Sequence, residues 1–253
     1  MNAALAMPRQ LSLRAWARIG LRIGAMLGLL LTYIPLYYLW RLLRLDNPWP
    51  RRFLAGICHI AGVRVTVSGK RASGPVFLLA NHVSWIDIPA LSKVTGTAFV
   101  GHDGLASMPV LEWLCRMNDT VFIARHDRAS VADQVEQVRT AMAEMHALTI
   151  FPEGTTGDGS GLLPFKSSLL SAFEPLPQGI AVQPVLLDYG TEAAQIAWVG
   201  EEHGLDNFLR ILARRRPVRL RVAFQPPLSG DQLANRKTIA ASGREAIARA
   251  LSR

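Results

Sequence analysis

Two short apolar runs, Val76-Phe77-Leu78-Leu79-Ala80 and Ala147-Leu148-Thr149-Ile150, constrain the fold of this chain more than any other feature. Each stops abruptly at a polar, turn-forming stretch, and the first is preceded by the breaker Ser73-Gly74-Pro75. Apolar runs of this length between turn formers read as buried strands. Between and around them the chain alternates strand-like with helix-like segments. That alternation predicts an α/β fold, a mostly parallel sheet flanked by helices. In such a sheet, ligands sit in the crevice beyond the carboxyl ends of the strands. The loops after Ala80 and Ile150 are therefore where chemistry is to be sought.

The remaining elements follow from local signals. Arg64 to Ser68 alternates as a half-exposed strand, and Ile88 to Val94 reads as a short helix ending before Gly96. Ala98 to Val100 is a strand, and Pro109 starts a helix through Met117. Val121 to Ile123 is a strand ending near Arg125, and Ser130 caps a helix through about His146. Ile180 to Leu187 reads as a central strand interrupted at Pro184, and Gln195 to Val199 as one more strand. Val218 to Phe224 alternates apolar residues with Arg219 and Arg221 and reads as an edge strand, before a closing helix from Asp231 to about Leu251.

The first 60 residues have another character. Ile23 to Trp40 is uncharged over 18 residues, the length at which a membrane helix becomes credible, and Phe53 to Ile60 is a further apolar helical stretch. Of the formal charge of +9, nearly all belongs here: residues 1–52 hold eight Arg and one acid, while the rest of the chain holds 20 basic and 18 acidic residues. Basic residues around an apolar run suit an anionic lipid surface, whereas a nucleic-acid partner calls for a basic face on the folded body. Arg residues flank both ends of the run and Pro35 would bend a helix inside it, which predicts a half-inserted element with both flanks on the cytoplasmic side. We divide the chain into a membrane-anchoring segment, 1–60, and a catalytic domain, 61–253. The expected location is the cytoplasmic face of the inner membrane. Two cysteines, Cys58 and Cys115, are too few for a disulfide scaffold or a thiolate zinc site, and no metal or nucleotide motif occurs.

After Ala80 comes Asn81-His82-Val83-Ser84-Trp85-Ile86-Asp87. With His82 in the loop and Asp87 in the first helical turn, Asp87 can accept from one ring nitrogen and leave the other as a general base. Taken alone, the same residues read more readily as a loop histidine and a helix-capping acid, and the pair needs support from elsewhere in the chain. After Ile150 comes Phe151-Pro152-Glu153-Gly154-Thr155-Thr156, a sharp turn that holds a carboxylate at a strand end.

Together, N-H-x-S-x-x-D and F-P-E-G-T resemble the glycerophospholipid acyltransferase family, the lysophosphatidate acyltransferases in particular. Two weaker blocks, Phe99 to Arg125 and Val182 to Tyr189, fall in the expected order, so the resemblance spans about residues 76 to 189. It implies acyl transfer from acyl-coenzyme A or acyl carrier protein to a lipid hydroxyl, without a bound cofactor or metal. His82 and Asp87 are then catalytic. Arg125, Glu153, Gly154, Thr155 and Lys166 are then substrate-binding, with Arg125 and Lys166 meeting a phosphate. The implied product is phosphatidate, made from lysophosphatidate. Two departures matter: Thr156 stands where many relatives carry Arg, and His102 near where many carry Lys. They bring in an alternative acceptor, a lyso-ornithine lipid, whose hydroxyl sits on a molecule without phosphate. Two rivals of other kinds are a serine hydrolase using Ser84, which lacks the G-x-S-x-G elbow, and a non-catalytic lipid-binding module.

Overall fold

The computed structural model describes residues 11–102, 109–123, 136, 140 and 146–252. Seven strands form one sheet: β1 (Val63–Ser68), β2 (Val76–Ala80), β3 (Ala98–His102), β4 (Val121–Ile123), β5 (Ala147–Ile150), β6 (Ala181–Asp188) and β7 (Val218–Phe224). Their order is β1-β7-β6-β2-β5-β3-β4. Every pairing is parallel except β6 with β7, which is antiparallel. β2 is buried at all five positions and divides its side chains by the period of the pleat. Val76, Leu78 and Ala80 enter a core shared with the N-terminal helices, while Phe77 and Leu79 enter a second core on the other face.

Six helices accompany the sheet among the described residues: α1 (Leu13–Leu42), α2 (Trp49–Ile60), α3 (Asp87–Thr95), α4 (Pro109–Met117), α5 (Gly204–Ala213) and α6 (Arg236–Leu251), apart from a four-residue turn at Ala193–Ile196. On the first face, Ile19 and Met26 of α1 and Cys58 of α2 pack with Leu91 of α3 and Ile211 of α5. On the second, Ile239 and Ala240 of α6 cover Phe77 and Leu79. Gly243 brings α6 close to the sheet, since a Cβ there would stand 2.7 Å from the Leu79 Cδ1.

Three expectations are corrected. Val218–Phe224 lies inside the sheet, between β1 and β6. Its exposed Arg219 and Arg221 mark an open face rather than a free edge, because alternation reports on the faces of a strand and says nothing about its hydrogen-bonding sides. Gln195 to Val199 is no strand: Ala193–Ile196 is helical, and the backbone that follows carries Trp198 into the site. The closing helix starts at Arg236, capped by Asn235, whose side chain accepts from the N–H groups of Lys237 and Thr238; Asp231 sits in a preceding short turn, Gly230–Leu233. Pro184 stays within β6. Its carbonyl accepts from the Gln225 N–H, and the Gln225 carbonyl, which the missing proline N–H would otherwise serve, accepts from the Gln183 side chain (2.8 Å). The helix expected from Ser130 to His146 lies outside the described residues, apart from isolated positions.

α1 is a single helix that continues through Pro35. It is long and apolar enough to cross a membrane, and only 11% of its most apolar 18-residue window is buried in the fold. Leu21, Leu31 and Leu42 are each at least 75% exposed, a surface that favours an apolar medium. Its N-terminal part is docked. The guanidinium groups of Arg18 and Arg22 donate to the carbonyls of Ala213 and Leu212 at the end of α5, where cations suit the helix dipole. Part of the positive charge near the N-terminus therefore serves the fold.

Candidate active site

The site is built where β2 and β5, neighbours in the sheet, end. Beyond Ala80, Asn81 is buried and ties the loop to β6: its amide nitrogen donates to the Leu187 carbonyl (3.0 Å) and its oxygen accepts from the Leu187 N–H (2.7 Å). Asp87 is the first residue of α3, and its Oδ2 accepts from the backbone N–H groups of Val83 (2.6 Å) and Ser84 (2.9 Å). The same oxygen lies 2.8 Å from His82 Nδ1. The sequence places His82 in the loop and Asp87 in the first helical turn, and there the structure brings them together.

Glu153 holds the loop from the other strand end. Its Oε2 accepts from the His82 N–H (2.9 Å) and its Oε1 from the Leu163 N–H (3.1 Å), and the side chain is buried. Burial pushes its pKa from 4.5 up to about 7, against the two backbone N–H groups that pull it down. The His82 carbonyl accepts from Gly157 (2.7 Å) and the Val83 carbonyl from Trp198 (2.9 Å), while the Thr156 hydroxyl donates to the Trp198 carbonyl. The backbone around His82 is thus fixed from three directions. The imidazole stacks on Phe151, with ring centroids 4.1 Å apart at 16°.

Among the described residues, one ring nitrogen remains free. Backbone N–H groups can only donate, so Asp87 Oδ2 accepts from all its partners and His82 Nδ1 carries the hydrogen that points at it. Nε2 keeps its lone pair. The His82 side chain is 18% exposed while Asp87 is fully buried, so the base can be reached and its partner cannot. His82 stands in the wall of a cavity of about 870 Å³ that runs on between α1 and α2, past Met26, Leu30, Phe53 and Ile57, and that Thr155 and Thr156 also line. This geometry suits proton removal from a hydroxyl whose attached apolar chain lies along α1 and α2.

The other predicted site residues are dispersed. Gly154 lines the cavity and takes φ +69°, the left-handed turn that lets the chain leave β5 sharply. Thr155 is exposed at the cavity wall. Glu153 is used up on backbone, so the structure places it behind the histidine rather than in the pocket. Lys166 is exposed, holds Pro152 through its backbone N–H, and does not line the cavity. Arg125 lies outside the described residues. Ser84 is fully buried with its hydroxyl towards Asn207, which leaves the serine-hydrolase rival without an exposed nucleophile. One residue was missed. Tyr189, directly after β6, donates its phenol O–H to Asp87 Oδ1 at 2.5 Å. The signal was available: like Asn81 and Phe151, it follows the end of a buried strand.

A family model described as Acyltransferase matches residues 63–188, which spans both strand-end loops and β6, the strand that Tyr189 follows. The lyso-ornithine lipid O-acyltransferase of Rhodobacter capsulatus is 31% identical over 91% of this chain and 88% of its own length. This chain belongs to the glycerophospholipid acyltransferase family. As an enzyme of that family, it also matches the 1-acyl-sn-glycerol-3-phosphate acyltransferase of Neisseria gonorrhoeae, 35% identical over 47% of this chain and 46% of that one. The crystal structure of the 1-acyl-sn-glycerophosphate acyltransferase PlsC from Thermotoga maritima superposes with a TM-score of 0.63, covering 94% of this chain and 96% of that one at 21% identity, and shares the fold.

Proposed function

We propose that this acyltransferase moves a fatty acyl group from a thioester to the hydroxyl of a lyso-lipid of the lyso-ornithine type. The observation that carries the acceptor assignment is coverage. The similarity to the lyso-ornithine lipid enzyme covers 91% of this chain and 88% of that one, whereas the similarity to the glycerol phosphate enzyme covers under half of either chain. The cavity supports the same reading. Among the described residues no Lys or Arg lines it, and Thr156, where many relatives carry Arg, turns its hydroxyl to the Trp198 carbonyl. Ornithine presents a carboxylate and an ammonium group, which need no cluster of arginines. The local match to the glycerol phosphate enzyme, at 35% identity, favours lysophosphatidate as the second reading.

In the reaction, Nε2 of His82 takes the proton from the acceptor hydroxyl as its oxygen attacks the thioester carbonyl. A carbon–oxygen bond forms, the carbon–sulfur bond breaks, and the imidazolium returns the proton to the departing thiolate. No acyl-enzyme forms, because the nucleophile is the acceptor's own oxygen. Asp87 holds the ring and stabilises the imidazolium. The donor is acyl-coenzyme A or acyl carrier protein. The enzyme works at the cytoplasmic face of the inner membrane, a site supported by the basic flanks of α1 and by two free thiols, Cys58 and Cys115.

The test is a competition in detergent between lyso-ornithine lipid and lysophosphatidate for one labelled acyl donor, offered as the coenzyme A or the carrier-protein thioester, with His82→Ala as control. The expected product is acylated ornithine lipid, lost in the variant. Phosphatidate as the dominant product would transfer the assignment to lysophosphatidate. Turnover by His82→Ala at the wild-type rate would remove the general base.

A further inference from the structure

Asp87 is saturated from two sides, and the sides are chemically different. Oδ2 takes the ring nitrogen of His82 and two backbone N–H groups that belong to its own loop. Oδ1 takes the Tyr189 hydroxyl, its sole donor among the described residues, from a different strand 102 positions along the chain. Tyr189 is 4% exposed and stands at the carboxyl end of β6, the neighbour of β2 on the side opposite β5. Burial and the adjacent Asp87 hold its phenol well above the usual range, so it stays protonated and donates.

From this arrangement we propose that Tyr189 is a positioning residue for catalysis, the third member of a buried relay Tyr189–Asp87–His82 that fixes the direction and basicity of His82. The proposal rests on His82 as the general base and is independent of which lyso-lipid is acylated. With Oδ1 unpaired, the carboxylate would be held through Oδ2 alone and would keep more of its charge there. The phenol fixes the second oxygen and draws negative charge towards Oδ1. Removing it concentrates charge on Oδ2, which favours the imidazolium and raises the pH at which His82 titrates. Among the described residues, the ionisable groups facing this relay are Glu153 and Cys58: Glu153 lies beside His82 and Asp87, and Cys58 of α2 beside Tyr189.

The substitution Tyr189→Phe keeps the ring and its packing and deletes the hydroxyl. In the full-length protein in detergent, kcat should fall about tenfold or more, with KM for the acceptor unchanged within about twofold, as expected for one hydrogen bond to a charged group. The acid limb of the pH–rate profile should move to higher pH. A second measurement needs no substrate: nitrogen chemical shifts of the His82 ring against pH, assigned by their loss in His82→Ala. The wild type should show hydrogen on Nδ1, and the variant a higher titration midpoint. An unchanged midpoint with unchanged kcat would overturn the proposal. A loss of kcat accompanied only by a lower melting temperature, with the midpoint unmoved, would reduce Tyr189 to a structural residue and equally overturn it. Because the ring titration does not depend on the acceptor, a wrong lipid assignment would leave this result standing.

Discussion

Two buried acids, at the ends of neighbouring strands, hold the same histidine in different ways. Asp87 touches the imidazole, and Glu153 touches the backbone that carries it. Both are sealed from solvent and both accept from main-chain N–H groups of the His82 loop or its neighbours. The difference lies in their other partners. Asp87 has Tyr189 and the ring itself, so its charge is coupled to the proton that moves. Glu153 has the Leu163 N–H, so it joins the β2 loop to the loop after β5 and stays remote from Nε2. Burial alone therefore does not mark a catalytic carboxylate: what it is bonded to does.

The contrast predicts a ranking. Replacing Asp87 by Asn removes the acceptor that selects the ring tautomer, and kcat should fall roughly 10³–10⁴-fold with little change in KM, read in a steady-state assay. A loss below about tenfold would erase the distinction between the two acids. Glu153→Gln keeps one accepting oxygen and turns the other position into a donor facing an N–H. It should lower kcat roughly 10–100-fold through displacement of the loop.

Glu153 also sets a pH dependence of stability that Asp87→Asn leaves in place. Its folded pKa, about 7, is raised from 4.5, so the folded chain holds this proton more tightly than the unfolded chain does. That contribution is fully present below about pH 4.5 and is lost as pH rises through about 7, a change of about 3 kcal/mol for a group buried this deeply. Urea unfolding at pH 5 and pH 8 should therefore show a smaller drop in Glu153→Gln than in wild type; equal drops would place the titration elsewhere. The smallest effect belongs to Thr156→Ala, which removes the link to Trp198 and touches neither acid. It should change kcat by no more than about threefold in the same assay.

Much of this was legible in the sequence, and the reasons it was or was not are physical. β2 and β5 declared themselves because strands buried on both faces read as near-continuous apolar runs, with the buried Thr149 of β5 satisfied by the Thr97 hydroxyl. His82 and Asp87 were readable as a pair because a loop followed by one helical turn leaves few ways to place residues five apart. The position of β7 was not readable, since pairing partners are set by tertiary contacts rather than by the strand's own pattern. The role of Tyr189 stayed hidden for the same reason: its bond to Asp87 spans 102 positions and exists only because β6 lies beside β2. Glu153 was found as a residue, but whether a carboxylate faces a pocket or the back of a loop depends on a turn geometry that its neighbours alone do not specify.

The most direct test of the division of labour is a double-variant comparison of kcat for His82→Ala, Asp87→Asn and the two combined. If Asp87 acts through the ring, the combined variant should be no slower than His82→Ala alone, within about threefold. A combined loss equal to the product of the two single losses would contradict the account, because it would mean that Asp87 assists the reaction by a route that does not pass through His82.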